Sequence, residues 1–137
     1  MTKQILLIIL LILGLLTTLL LITQTTIFKS QASNTDTQLP VKENSYIFAS
    51  PIQAKADGKE KIRITVFLLN SLGLGVGKQT VTLKVPAPIE IETIQSVTDD
   101  LGKASFNLSS TAPGKFEISA STPTLVLTQK INLLFFQ

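Results

Sequence analysis

From Ser45 to the C-terminus, hydrophobic residues recur at every second position, and no stretch there holds a helical period. In "KIRITVFLL", Ile62, Ile64, Val66 and Leu68 fall on one side, with Lys61, Arg63 and Thr65 on the other. Val81, Leu83 and Val85 share one parity in "QTVTLKV", and Ile89 and Ile91 alternate with Glu90 and Glu92. Ala104, Phe106 and Leu108 alternate with Ser105, Asn107 and Ser109. Phe116, Ile118 and Ala120 alternate with Lys115, Glu117 and Ser119, and Leu125, Leu127, Ile131, Leu133 and Phe135 share the last parity. Successive side chains of a strand point to opposite faces, so this pattern demands strands with one buried face each. Turn signals separate the runs: Asp57-Gly58, the Asn70–Gly77 segment, Pro86-Ala87-Pro88, Asp99–Gly102, Pro113-Gly114 and Thr122-Pro123. The expectation is an all-β domain of roughly seven to eight short strands over residues 45–137, with two sheets closing on one core.

The N-terminus obeys a different rule. Ile5 to Ile22 reads "ILLIILLILGLLTTLLLI", eighteen residues without a charge. As a helix it would extend about 27 Å, close to the hydrocarbon thickness of a bilayer. Thr17 and Thr18 are tolerable there because a threonine hydroxyl bonds back to its own helix. The segment predicts one N-terminal transmembrane helix, with residues 1–23 acting as a signal anchor in membrane lipid. A cleaved signal peptide is the alternative: Ser30 and Ala32 stand at A-x-A-like spacing, separated from the apolar core by Thr23 to Lys29. Lys3 and the α-amine precede the segment and Lys29 follows it, so charge bias alone does not orient it. The domain that follows favours the C-terminal side lying outside the cytoplasm. Residues 24–44 are polar, carry Pro40 and lack periodicity, which predicts a flexible stalk.

Composition narrows the chemistry. The chain has no histidine, which removes the commonest general base and the commonest metal ligand. It has no cysteine either, which removes disulfides, thiolate metal sites and a cysteine nucleophile. A serine nucleophile would then need a lysine partner and an oxyanion hole, and no motif indicates one. The expectation is a non-enzyme without metal or cofactor. The net charge of +3 comes from dispersed lysines; the nearest cluster, Lys59, Lys61 and Arg63, is interrupted by Glu60. A nucleic-acid footprint concentrates basic residues, so no nucleic-acid partner is expected.

Five features invite a functional reading. "TDDLG", Thr98 to Gly102, resembles an acidic cradle, but calcium takes six to eight oxygens, and Asp57 and Glu60 would have to converge with it. Asp and Gly also make ordinary corners, since Asp bonds its own backbone and Gly takes positive φ. "GLGVG", Gly73 to Gly77, lacks the spacing and the following helix of a phosphate loop and reads as a mobile inter-strand loop. Asn107-Leu108-Ser109 fits a glycosylation sequon inside a strand, and Lys61 and Glu117 form a tempting acid–base pair, with no nucleophile positioned beside them. Phe67, Leu134 and Phe136 are apolar on a polar parity. They are candidates for an interaction patch, unless a bulge near Gln129 shifts the parity of the last strand.

The residues in "ADGKEKIRITVFLLNSLGLGVGKQTVTL" resemble the first half of a bacterial Ig-like domain of group 1, the invasin/intimin type. The matching positions are Ala56-Asp57-Gly58, the strand Ile62 to Leu68, the turn Asn70 to Gly73, Val76, and Val81-Thr82-Leu83. The second half is similar too, through Thr98 and Asp99 with Gly102 and Ala104, and Gly114 with Ala120. The resemblance covers roughly residues 45–122 and implies an immunoglobulin-like β-sandwich. In it Asp57, Gly58, Asn70, Gly73, Thr98, Asp99, Gly102 and Gly114 are structural turn residues. The match is to a single copy, where the adhesins carry tandem arrays, so it implies fold and surface location more than adhesive activity. The expected role is structural, adhesive or interactive, with a protein or cell-surface polymer as partner. The alternatives are a released ligand- or carbohydrate-binding sandwich, and an accessory subunit pairing through Gly14 and Thr18.

Overall fold

A computed structural model describes residues 3–5, 10–17 and 39–137. The chain divides into two units, Met1–Thr35 and Asp36–Gln137. In the first, residues 3–5 and 10–17 are helical, and Thr17 Oγ1 donates to the Gly14 carbonyl at 2.9 Å, the back-bonding expected of a threonine there. No helix among the described residues is long and apolar enough to cross a membrane. Half of the predicted span Ile5–Ile22, and the stalk as far as residue 38, lie outside the described residues.

The second unit is a sandwich of two four-stranded sheets. Its strands are β1 (Tyr46–Ser50), β2 (Gln53–Lys55), β3 (Ile62–Phe67), β4 (Thr82–Lys84), β5 (Glu90–Gln95), β6 (Lys103–Ser109), β7 (Gly114–Ser121) and β8 (Ile131–Phe136). One sheet has the order β1-β3-β6-β5 and the other β2-β8-β7-β4. All pairs are antiparallel except β2 with β8. This is the immunoglobulin constant-type division of strands, with the first strand split between the sheets. Pro51 makes that split intelligible. It has no N–H for a ladder, so pairing with β3 stops at Ser50 and the chain crosses to β8.

The core lies where the alternation placed it. Ile47, Ile62, Ile64, Val66, Leu68, Ala104, Phe106 and Leu108 from one sheet meet Ala54, Leu83, Ile118, Ala120, Leu133 and Phe135 from the other. Phe116 meets Phe135 edge to face at 6.1 Å. The expected alternation fails at several positions, among them Ser109 at the end of β6, which is buried on the polar parity. Thr65 and Ser105, on the polar parity, are buried. They are cross-strand partners on the central strands β3 and β6, and Thr65 also pairs with Phe48, so larger neighbours shield two small side chains. Ile91, on the apolar parity, is 42% exposed. It sits on β5, which ends its sheet and slips register between Thr93 and Gln95, so no strand of its own sheet covers it on the far side.

The strand directions define two ends. Tyr46 pairs with Phe67 and Phe67 with Lys103, so the entry of the domain, the β3–β4 segment and the β5–β6 turn share one end. Ordered contact starts ahead of β1 there: Val41 N–H donates to the Leu69 carbonyl at 2.8 Å, and Asn44 Nδ2 donates to the Asn70 carbonyl at 2.7 Å. The β2–β3 and β6–β7 turns share the opposite end with Phe136.

Candidate functional site

Five of the eight motif residues come together at the entry end. Asn70 is buried, and its Oδ1 accepts the N–H groups of Leu72 and Leu74, each at 2.9 Å. That closes the turn around Gly73, which has a φ of 76° and nothing within 4 Å of the position a Cβ would take. Thr98 is buried between the two loops. Its hydroxyl donates to the Val76 carbonyl at 2.7 Å and accepts the Gln79 N–H at 3.0 Å. Asp99 Oδ1 accepts from the N–H groups of Leu101 at 3.0 Å and Lys103 at 2.9 Å. Gly102 has a φ of 73°, and a Cβ there would lie 2.1 Å from the Leu68 carbonyl oxygen and 2.9 Å from Val76 N. The β3–β4 and β5–β6 connections are therefore one clasp. The sequence predicted a mobile Gly73–Gly77 loop, yet Val76 is buried, its N–H donates to the Leu68 carbonyl at 2.8 Å, and Gly75 presses on the Leu101 backbone.

The other three motif residues lie at the opposite end. Asp57 Oδ1 accepts the N–H groups of Lys59 at 2.8 Å and Glu60 at 2.9 Å. These donors, Glu60 first, hold its carboxyl below the ordinary aspartate range. Gly58, at a φ of 71°, donates its N–H to the Ser110 carbonyl at 3.0 Å. Gly114 opens β7 opposite Phe135. So Asp57 lies at one end of the sandwich and Asp99 at the other. Among the described residues no group of three or more acidic side chains could hold a metal ion. Asp100 is exposed.

The tempting acid–base pair is divided between sheets. Lys61 Nζ meets Glu92 at 2.9 Å, while Glu117 meets Lys130 at 2.8 Å. Asn107, the sequon residue, accepts from Arg63 Nε at 2.7 Å and donates to Glu92 at 2.6 Å. The Asn107 amide first, and then Lys61, hold the Glu92 carboxyl below its ordinary range. This network spans β3, β6 and β5 on the outer face of the first sheet.

The candidate patch divides as well. Leu134 and Phe136 lie on the outer side of β8, whose inward parity of Leu133 and Phe135 matches that of Leu127. The bulge reading of the Gln129 region therefore fails. The Gln129 carboxamide instead accepts the Ile47 N–H at 3.3 Å. Leu134 lines a shallow hollow with Ile52, Gln53 and Lys115. Phe67 belongs to the other sheet, where it stacks on Tyr46 at 5.2 Å and on Phe48 at 6.2 Å. Tyr46 and Phe48 were missed as its companions. Their spacing of two from Ser45 onward was the available signal, hidden because Ile47 between them makes the run apolar throughout.

A search of curated proteins finds no relative of this chain. Solved structures do resemble it. The D00–D0 fragment of intimin superposes with a TM-score of 0.60 at 25% identity, over 78% of this chain and 52% of that one. A C-terminal fragment of intimin, solved in complex with the intimin-binding domain of the translocated intimin receptor, gives 0.57 at 28%, over 66% of this chain and 32% of that one. Invasin, described as a bacterial integrin-binding protein, gives 0.64 at 19% over 72% of this chain and 20% of that one, a likeness of fold. This chain thus spans about half the length of the first intimin fragment. The family model for the bacterial Ig-like domain (group 1) matches residues 44–135, from just ahead of β1 to one residue short of the end of β8, and the chain belongs to that family.

Proposed function

We propose that this chain is an extracytoplasmic Ig-like module, anchored in a membrane by a single span at Ile5–Ile22 and presented on a stalk that starts at residue 24 and ends short of the bonded entry residues Val41 to Asn44. Its sandwich, residues 45–137, serves a structural, adhesive or protein-binding role. The observation that carries the reading is the family match over almost the whole sandwich. What the turn motifs do agrees with it: Asn70, Thr98 and Asp99 spend their side chains on backbone groups of neighbouring turns. Among the described residues, no buried side-chain nitrogen or oxygen lacks a hydrogen-bond partner. The apolar segment supports the anchor by length and lack of charge. A protein partner is supported by intimin, which was solved with a protein receptor bound. The stacked Tyr46, Phe67 and Phe48 offer a surface of the right chemistry for one, since aromatic side chains are enriched at protein interfaces.

The test is membrane fractionation of cells making the full chain, followed by protease treatment from outside and mass spectrometry of the N-terminus. An intact N-terminus in the membrane fraction, with the sandwich accessible outside, is the expected result. A soluble product beginning after Ala32 would favour the released, ligand-binding alternative.

A further inference from the structure

The sheet β1-β3-β6-β5 has two edges, and the fold treats them differently. Leu68 N–H donates to the Gly102 carbonyl at 2.8 Å, and bonded pairs in an antiparallel ladder recur at every second residue. Val66, Ile64 and Ile62 therefore exchange bonds with Ala104, Phe106 and Leu108, while Asn107 and Ser109 turn theirs toward β5. Their partners there are Glu92 and Glu90, which leaves the N–H and C=O groups of Ile91 and Thr93 pointing off the sheet. The same alternation on β1 turns Ile47 outward, and there the Gln129 carboxamide takes its N–H at 3.3 Å. The edges of the other sheet, β2 and β4, are three residues long each. β5 has six residues, without proline or lysine, and only Gln95 is not fully exposed. Such an edge is a template for another strand. Part of it is already used: Thr80 bridges Val97, and Val81 N–H donates to the Ser96 carbonyl at 2.8 Å. The chain then leaves for β4 in the other sheet, and among the described residues no strand continues that ladder beside Ile91 and Thr93.

We propose that this edge takes up an extended segment of a partner protein as an added strand, and that the segment carries lysine or arginine at alternate positions with apolar residues between them. The inference rests on the protein-binding role proposed above, to which it gives a site and a partner chemistry, and it does not depend on the anchor. Side chains select the occupant. Glu90 and Glu92 share the outer parity of β5; Glu92 meets Lys61 at 2.9 Å, and Glu90 has no ion pair among the described residues. Residues of an added strand opposite these two lie on the same side, where cations are favoured. Ile91, on the inward parity, is exposed, so an apolar residue opposite it extends the core. The glutamates also disfavour a second copy of this chain. Antiparallel self-pairing centred on Glu92 sets that carboxylate against its own image, and centring on Ile91 sets Glu90 against Glu92 twice. Centring on Thr93 draws the register slip between Thr93 and Gln95 into the ladder.

The probes are three synthetic peptides: Lys-Val-Lys-Val-Lys-Val-Lys, its counterpart with glutamate for lysine, and the lysine peptide with every valine N-methylated. The valines are the residues whose N–H groups would face Ile91 and Thr93, so methylation removes the ladder and keeps the charge. Each peptide is titrated into the isotope-labelled full-length chain in detergent micelles, and amide hydrogen exchange is followed residue by residue. The lysine peptide should slow exchange at Ile91 and Thr93 by about tenfold or more and leave Ile47 unchanged. The other two peptides should have no effect. Glu90→Lys, a change at an exposed position, should weaken the lysine peptide about fivefold. Equal protection by the glutamate peptide overturns the basic partner, and equal protection by the methylated peptide overturns strand addition. Protection of Ile91 and Thr93 that rises with the concentration of the chain alone places a second copy on the edge and overturns the proposal. Binding that shifts the Tyr46 and Phe48 amides instead, or no binding of any peptide, overturns the edge and leaves the protein-binding reading standing.

Discussion

Thr98 and Gly102 illustrate how little of a turn motif is free to act on a ligand. The Thr98 hydroxyl bridges the two loops of the clasp in a buried position. Thr98→Val keeps the shape but strands the Val76 carbonyl and the Gln79 N–H, and should lower stability by about 1–3 kcal/mol in denaturant unfolding. Gly102 has both a positive φ and a carbonyl where a Cβ would go, so Gly102→Val has no nearby relief. It should cost about 3 kcal/mol or more, comparable with the cavity left by Phe106→Ala, about 3–5 kcal/mol. The two adjacent aspartates differ. Asp99→Ala releases two backbone N–H groups and should cost about 1–2 kcal/mol, whereas Asp100→Ala should stay within about 0.5 kcal/mol. If Asp100→Ala were the most damaging of these, the acidic turn would be a site rather than a corner.

At the scale of elements, the clasp couples segments far apart in sequence. Asn70 shapes one loop and Thr98 joins it to the other. Asn70→Ala and Thr98→Val should therefore combine non-additively, with an interaction of about 0.5–3 kcal/mol in a double-mutant cycle. Additivity within error would mean that the loops fold independently. The β2–β3 turn and the β3–β6–β5 network give the sandwich an acid limb. Asp57 and Glu92 both have lowered carboxyl pKa values in the folded state, so the unfolded chain binds their protons first as pH falls. Their contribution is present above the ordinary carboxylate range near pH 4 and is lost as pH falls through the lowered folded values. Denaturant midpoints should be level from about pH 7 to 5 and fall below about pH 4. Asp57→Asn should make that fall shallower, and an unchanged slope would contradict the role given to its backbone donors.

The strands were legible to different degrees for physical reasons. β6 and β7 carry clean alternation because each packs one face on the other sheet, while β3 and β8 blur it with Phe67, Leu134 and Phe136 on their outer parity. β1 hides its period, since Tyr46 and Phe48 on its outer side are as apolar as Ile47 on its inner side. The turn residues were recognisable as turns one by one. The assembly of those at the entry end into a clasp was not, because it depends on backbone approaches such as Gly102 to Leu68 that no local pattern encodes.

For the whole molecule, the sandwich looks self-sufficient by its contents. All eight strands, the clasp and the core cluster fall within residues 39–137. A domain near this size buries enough apolar surface to fold alone. Nothing in its folding should depend on a bound cation, since Asp57 and Asp99 are at opposite ends and both are bonded to backbone. The most direct measurement is thermal unfolding of residues 39–137, followed by circular dichroism in millimolar calcium and again in chelator. A β-type spectrum should give way in one cooperative transition at the same temperature in both. A broad, non-cooperative loss would show that the sandwich needs the rest of the chain. A midpoint that climbs with calcium and falls back with chelator, by the mass-action shift that native-state binding produces, would show that the acidic turns bind a metal.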